Sequence, residues 1–79
     1  MIKVLFFGPV AERVREREMQ LPYETGMTLH DVIHTVGMQH PGALSIVSFI
    51  AVNEQQVHDK QMLLADNDEI ALMAKYSGG

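Results

Sequence analysis

The segment Thr28-Leu29-His30-Asp31-Val32-Ile33-His34-Thr35-Val36 carries the clearest structural pattern in the sequence. Within it, apolar side chains recur at the i, i+3, i+4, i+7 spacing of an amphipathic helix that buries one stripe. The apolar positions are Leu29, Val32, Ile33 and Val36. Thr28, followed by Asp31 three residues later, resembles a capping box and predicts that the helix begins after this threonine. Gly37, and then Pro41-Gly42, predict its end.

Strand-like sequence lies on both sides of this helix. Residues 2–7 are β-branched and aromatic up to Gly8-Pro9, and residues 18–23 alternate polar and apolar side chains. Pro22 cannot donate a hydrogen bond to a ladder, so the second strand is expected to be an edge strand or to end there. After the helix, residues 43–48 form a connector without a clear pattern. Further strands are predicted at 49–52, around 56–57 and from 69 to about 75.

Turns and one short helix complete the order of elements. Pro9 suits the first turn of a helix, and the apolar residues that follow predict a short surface helix over about 9–16. Turns are expected at 24–26, 53–55 and 66–68, and Asn53 suits a turn because asparagine tolerates a positive φ. The resulting order indicates the α+β class, a roll in which a mixed sheet wraps one face around the main helix.

Both faces of the predicted sheet are apolar. Side chains alternate along a strand, so residues 2, 4 and 6 share one face, whereas Leu5 and Phe7 share the other. In the later strands, Phe49 and Ala51 oppose Ile50 and Val52, and Ala71 and Met73 oppose Ile70 and Leu72. One helix covers only one face. The second face is therefore covered either by the 9–16 helix and the loops or by a protein partner.

Composition excludes several classes of function. The chain has 79 residues, enough for one small domain, and its 10 Asp+Glu against 6 Lys+Arg give a net charge of −4. This balance lacks the basic stripe of a nucleic-acid binder. Without cysteine the sequence has no disulfide framework and no thiolate nucleophile. No apolar run is long enough to span a membrane, and Gly8-Pro9 interrupts the N-terminal run before it resembles a signal peptide, so we expect a cytoplasmic protein.

Two clusters of polar residues suggest chemistry only weakly. His30 and His34 lie at i, i+4 on the main helix, the spacing at which two imidazoles can share a metal ion. No third ligand is evident, so the pair is predicted to lie on the flank or the solvent side of the helix and no metal site is expected. Asp66, Asp68 and Glu69 crowd three carboxylates together, and a polar turn before a strand explains them as simply as an acid/base pair does.

The sequence ends in Ser77-Gly78-Gly79, directly after the last predicted strand. Glycine has no Cβ, so an extended Gly-Gly tail can enter a tunnel too narrow for any side chain. Such a tail presents its α-carboxylate as a reactive group on a flexible arm. The dipeptide alone is equally compatible with a frayed tail.

Together these features resemble the small subunit of molybdopterin synthase, a member of the ubiquitin-like β-grasp sulfur carriers. The resemblance covers almost the whole sequence and rests on the order and spacing of short segments. These are Ile2 to Gly8 with the helix from Val10 to Val14, Thr28-Leu29, Ala51-Val52-Asn53-Glu54, Leu64 to Leu72 and Ser77-Gly78-Gly79. The family usually has glycine where this chain has Asn67, a residue that also tolerates a positive φ.

The resemblance implies a β-grasp domain over residues 1–75, with about five strands on one main helix and a short helix after the first strand, and a flexible tail over 76–79. It implies that Gly79 is adenylated and then converted to a thiocarboxylate, with Ser77 and Gly78 presenting it. The sulfur would build the dithiolene of molybdopterin, within a heteromeric synthase in which this chain is not an enzyme by itself. The predicted docking residues are Leu5, Phe7, Phe49, Met73 and Tyr76.

The implied partners supply the catalytic groups. They are the large catalytic subunit of molybdopterin synthase, an adenylating enzyme related to ubiquitin-activating enzymes that consumes ATP, and a sulfurtransferase or other persulfide donor. The carrier itself is expected to bind no cofactor, nucleic acid or membrane. Family members often have a Pro-Pro-Val run where this chain has Ala74-Lys75-Tyr76, which leaves other pathways open. The alternatives are a carrier for thiamin or cysteine biosynthesis, a ubiquitin-like protein modifier, and a plain interaction module.

Overall fold

A computed structural model describes residues 1–75 of the chain, and within them the predicted α+β architecture is confirmed. The strands are β1 (Ile2–Phe6), β2 (Glu18–Leu21), β3 (Val47–Val52), β4 (Gln55–Val57) and β5 (Glu69–Ala74). The helices are α1 (Gly8–Val14) and α2 (Leu29–Gln39), and a short 3-10 helix spans Leu44–Ile46.

The described strands form one mixed sheet in the order β2-β1-β5-β3-β4. The central pair, β1 and β5, is parallel, and every other pair in the sheet is antiparallel. Strand β2 lies at one edge and ends at Leu21, immediately before Pro22, as the missing N–H of proline requires. Because β1 and β5 run in the same direction, both strands end at the same end of the sheet.

The hydrophobic core lies on one face of this sheet. Every second residue of β1 is buried there, and Ile70 and Leu72 of the neighbouring β5 join them. Helix α2 contributes its predicted stripe, with Leu29, Val32 and Val36 fully buried. Helix α1 buries Val10 and Val14 in the same cluster, so its apolar side is used in the core.

Helix α2 begins as predicted but extends further. The Thr28 N–H donates to Asp31 Oδ2 at 2.9 Å and the Asp31 N–H donates to Thr28 Oγ1 at 3.3 Å, which completes the capping box. The prediction that Gly37 ends the helix is wrong, because α2 continues to Gln39. A Cβ atom at Gly37 would lie 2.8 Å from Leu44 Cδ1. This glycine therefore permits the 3-10 helix to pack closely against α2.

Several other boundaries differ from the sequence prediction. Helix α1 ends at Val14 instead of residue 16, because Arg15 adopts a left-handed conformation with φ of 67° and donates its N–H to the Ala11 carbonyl at 2.7 Å. Strand β1 stops at Phe6, β3 begins two residues early at Val47, and β5 ends at Ala74.

The β3–β4 turn is tighter than predicted. Only Asn53 and Glu54 form it, with φ of 50° and 71°, as in the two-residue hairpins that match strand twist. Gln55 consequently already pairs with Val52 as the first residue of β4. The positive φ expected at Asn53 is confirmed, and Asn67 also has a positive φ of 72°.

Candidate docking surface

The second face of the sheet, which we call the outer face, is apolar at its centre. The strand register places Leu5 of β1 beside Ala71 of β5 and Ala71 beside Ala51 of β3. One pleat further along, Phe49 of β3 lies beside Met73 of β5. The alternation that the sequence predicted for these residues is therefore present in the structure.

Two aromatic side chains remain exposed at one end of this face. Phe7 is 47% exposed and Phe49 is 39% exposed, whereas Leu5 and Met73 are half-buried by their neighbours. Phe7 follows β1 directly, and its N–H donates to the Leu72 carbonyl of β5 at 3.2 Å. Phe7 and Phe49 therefore extend from strands on either side of β5, close to its end.

Polar residues surround this apolar centre. Lys3 and Glu69 pair across β1 and β5 towards the other end of the outer face, and Glu18, Gln20 and Gln56 occupy the same face on the edge strands. An apolar centre with a polar rim is the usual anatomy of a protein–protein interface. Helix α1 does not cover this face with its buried residues, because Val10 and Val14 pack into the core.

A groove extends the outer face towards α1. It has a volume of about 660 Å³ and runs between the end of β1, helix α1 and the start of β2. Leu5 and Phe7 form its apolar side, and Arg15 and Arg17 are among the charged residues that line it. The sequence pattern does not predict this groove, which lies beside the left-handed Arg15 that ends α1. Arg15-Glu16-Arg17-Glu18, which alternate in charge, are the sequence signal that lines the groove.

The predicted tail, residues 76–79, comes directly after Lys75 in the sequence. Strand β5 is central in the sheet, and Lys75 follows it at the same end as Phe7. Tyr76, Ser77, Gly78 and Gly79, the predicted docking and tail residues, lie outside the described residues. The predicted docking residues Leu5, Phe7, Phe49 and Met73 all lie on or at the end of one face, in β5 or beside it.

The acidic cluster at 66–69 has a structural role. Asp68 accepts hydrogen bonds from Asn53 Nδ2 at 2.9 Å and from the Ala65 N–H at 2.8 Å, so its carboxylate holds two turns together. The Glu69 N–H donates to Asn53 Oδ1 at 3.0 Å. Asp66 accepts a hydrogen bond from the amino group of Met1, and this bond lowers the pKa of Asp66 below its ordinary value. These contacts account for the carboxylates of Asp66 and Asp68 as parts of turns.

His30 and His34 lie on the exposed side of α2, as predicted. Their rings stack with centroids 6.3 Å apart and an angle of 16° between their planes. Among residues 1–75, no group of three or more His, Asp or Glu side chains is placed to hold a metal ion. In the same part of the chain, neither helix has the length and apolar character that a membrane crossing requires.

Comparisons with known proteins give this geometry a context. The profile of the ThiS family matches residues 4–79. No curated protein matches the chain. Among solved structures, SAMP1 from Haloferax volcanii superposes with a TM-score of 0.85 at 21% identity, covering 99% of this chain and 98% of that one.

Two further solved structures are of molybdopterin-converting factor subunits. A putative molybdopterin converting factor subunit 1 from Pyrococcus furiosus gives a TM-score of 0.81 at 20% identity, covering 92% of this chain and 94% of that one. A complex of subunits 1 and 2 of the molybdopterin-converting factor from Helicobacter pylori contains a chain with a TM-score of 0.71 at 25% identity, covering 99% of this chain and 97% of that one.

These likenesses confirm the β-grasp prediction, because the matched chains superpose on this protein over nearly their full length. The family profile spans almost the whole sequence as well. The chain belongs to the ThiS family of ubiquitin-like sulfur carriers.

Proposed function

We propose that this chain carries sulfur on Gly79 and donates it to the dithiolene of molybdopterin, bound to a large catalytic subunit. Family membership supports the carrier chemistry. The molybdopterin assignment is supported by the sequence resemblance and by the likeness to a chain of the Helicobacter pylori complex of two converting-factor subunits. The proposal takes the carboxylate of Gly79 as the group that reacts.

The proposed chemistry activates that carboxylate and then replaces one oxygen by sulfur. The carboxylate attacks the α-phosphorus of ATP in the adenylating partner, and pyrophosphate leaves. The acyl-adenylate has AMP as a good leaving group, so a persulfide sulfur attacks the carbonyl and AMP departs. This gives an acyl disulfide between Gly79 and the donor. A second thiol of the donor then attacks the donor's own cysteine sulfur, which forms a disulfide within the donor, and the outer sulfur stays on Gly79 as a thiocarboxylate. The chain has no cysteine, so in this scheme every thiol comes from its partners.

The observation that carries the proposal is the position of the outer face relative to the end of β5. Phe7 and Phe49 are exposed on strands that flank β5, and Lys75 follows directly. A partner that covers these aromatic side chains therefore also meets the chain as it leaves the sheet. Burying two exposed phenylalanines gives such a partner apolar contact area, while the tail supplies the reacting group.

The intact mass of the protein tests the carrier step. The chain is incubated with the adenylating enzyme of its host, ATP and a persulfide donor, and we expect a species heavier by one sulfur-for-oxygen exchange that fragmentation places at Gly79. A chain lacking Gly78-Gly79 and a reaction without ATP are the controls, and both are expected to keep the unmodified mass. An unmodified mass in the complete reaction would contradict the proposal.

The receiving pathway is tested separately with the thiocarboxylated protein. Transfer of its sulfur to the pterin precursor in the presence of the large subunit supports molybdopterin synthesis. Transfer only to the precursors of thiamin or cysteine would overturn that part of the proposal. A ladder of conjugates on lysines in cell extract would instead identify a protein modifier. A function that survives deletion of Gly78-Gly79 would identify a plain interaction module.

A further inference from the structure

Two histidines on α2 form a pair that the proposed sulfur chemistry does not use. His30 and His34 lie one helical turn apart on the solvent side, and side chains at this spacing are neighbours with Cβ atoms about 5–6 Å apart. The structure adds the relative orientation of the two rings. The imidazole planes are within 16° of parallel and their centroids are 6.3 Å apart, so the rings already lie side by side.

The backbone that carries this pair is held in place. The His30 N–H donates to the Lys60 carbonyl at 2.7 Å, and the neighbouring Leu29 N–H donates to the Met62 carbonyl at 3.1 Å. The capping box of Thr28 and Asp31 closes the same turn. The backbone positions from which the two imidazoles extend are therefore held in place before any ligand binds.

We propose that His30 and His34 form a two-imidazole chelate for a late first-row divalent cation, namely Cu²⁺, Ni²⁺ or Zn²⁺. Imidazole nitrogen suits these ions, and two ring nitrogens at i and i+4 of one helix can reach a single ion. Asp31 lies between the two histidines, but its carboxylate already accepts the Thr28 N–H at 2.9 Å. Asp31 therefore adds a negative charge near the ion.

The remaining coordination positions of the ion are filled by water. Structural zinc sites close the tetrahedron with four protein ligands, whereas this site offers two. The site therefore binds an exchangeable ion, which links the first turn of α2 to the second. Because the ion binds the folded chain, it raises the stability of the fold as its free concentration increases. This site and its test are independent of Gly79.

Zinc chloride is the probe, since Zn²⁺ is diamagnetic and the imidazole nitrogens can be followed by ¹⁵N NMR. In the full chain we expect the side-chain signals of His30 and His34 to shift together and to saturate, while those of His40 and His58 stay unchanged. His34→Gln is expected to weaken binding at least about tenfold, since even an outer-sphere partner of a metal ligand contributes about 10–100-fold in affinity. His58→Gln, which removes an exposed histidine outside the pair, is the matched control.

A second variant tests the spacing and keeps the number of histidines. His34→Gln combined with Thr35→His moves one imidazole about 100° around the helix, and it is expected to lose the saturable shift while circular dichroism stays helical. The increase of Tm with Zn²⁺ is expected in the wild type and absent in this variant. Equal weak shifts of all four histidines, or undiminished binding by the displaced histidine, would overturn the chelate.

Discussion

Asn53 shows how much one residue contributes to this fold. Its backbone takes a positive φ of 50° at the β3–β4 turn, and its side chain donates to Asp68 Oδ1 and accepts from the Glu69 N–H. The turn conformation could be predicted from the sequence, because asparagine tolerates a positive φ. The two hydrogen bonds could not, since their partners lie 15 and 16 residues away along the chain.

Asn53→Ala is expected to lower the free energy of unfolding by about 2 kcal/mol. The left-handed backbone conformation destabilises alanine by about 1 kcal/mol, and the loss of two exposed hydrogen bonds accounts for the other ~1 kcal/mol. Asn53→Gly keeps the backbone conformation and removes only the side chain, so a loss of about 1 kcal/mol is expected. Urea denaturation of the three proteins measures both values. Equal losses in the two variants would show that the positive φ costs alanine nothing here.

At the scale of elements, the sequence predicts the types and the order of the helices and strands well. It predicts less well where each element begins and ends. The cap, the stripe of α2 and the edge position of β2 follow from local residues, namely Thr28, Val32 and Pro22. The ends of both helices depend on contacts that local pattern does not encode. Helix α2 continues through Gly37, where Leu44 lies too close for a Cβ atom, and α1 ends where Arg15 adopts a left-handed conformation. The same holds for the candidate site. The alternation of side chains along the strands predicts the outer face, but it does not predict the groove.

The capping box of α2 makes part of the stability dependent on pH. The hydrogen bond from the Thr28 backbone is the chief cause that lowers the pKa of Asp31 below its ordinary 3.8. A lowered pKa in the folded state means that the ionised carboxylate stabilises the fold above the unfolded pKa, and that this contribution is lost as the pH falls through the folded pKa. Asp31→Asn removes the titration and keeps a side chain of the same shape.

The free energy of unfolding of wild type and Asp31→Asn is therefore expected to differ most near neutral pH. The wild type is the more stable protein there, and the difference is expected to shrink as the pH falls below about 4. Chemical denaturation at several pH values measures it. A difference that stays constant down to acid pH would contradict a role for the ionised carboxylate. Other carboxylates, including Asp66, are present in both proteins, so their contributions cancel in the difference between the two free energies of unfolding.

At the scale of the whole molecule, the two faces of the sheet differ in how they are covered. The inner face and both helices share a single core, whereas the outer face leaves Phe7 and Phe49 exposed beside the end of β5. A small domain has little core to spare, so apolar side chains left outside it are costly unless a partner covers them. This separation predicts that the outer face can be altered without loss of the fold.

Phe7→Asp tests that separation. Phe7 is 47% exposed, and the hydrogen bond to the Leu72 carbonyl uses its backbone N–H, which aspartate retains. The Tm is therefore expected to change little, while the KM of the adenylating partner for the carrier rises at least about tenfold, the effect of losing one apolar anchor. Leu63→Asp is the matched control, since Leu63 is 70% exposed and pairs with Thr28 beside α2, away from the outer face. The control is expected to keep the wild-type KM. Unfolding of Phe7→Asp would show that Phe7 belongs to the core, and an equal rise of KM in both variants would show that added charge, and not the outer face, determines binding.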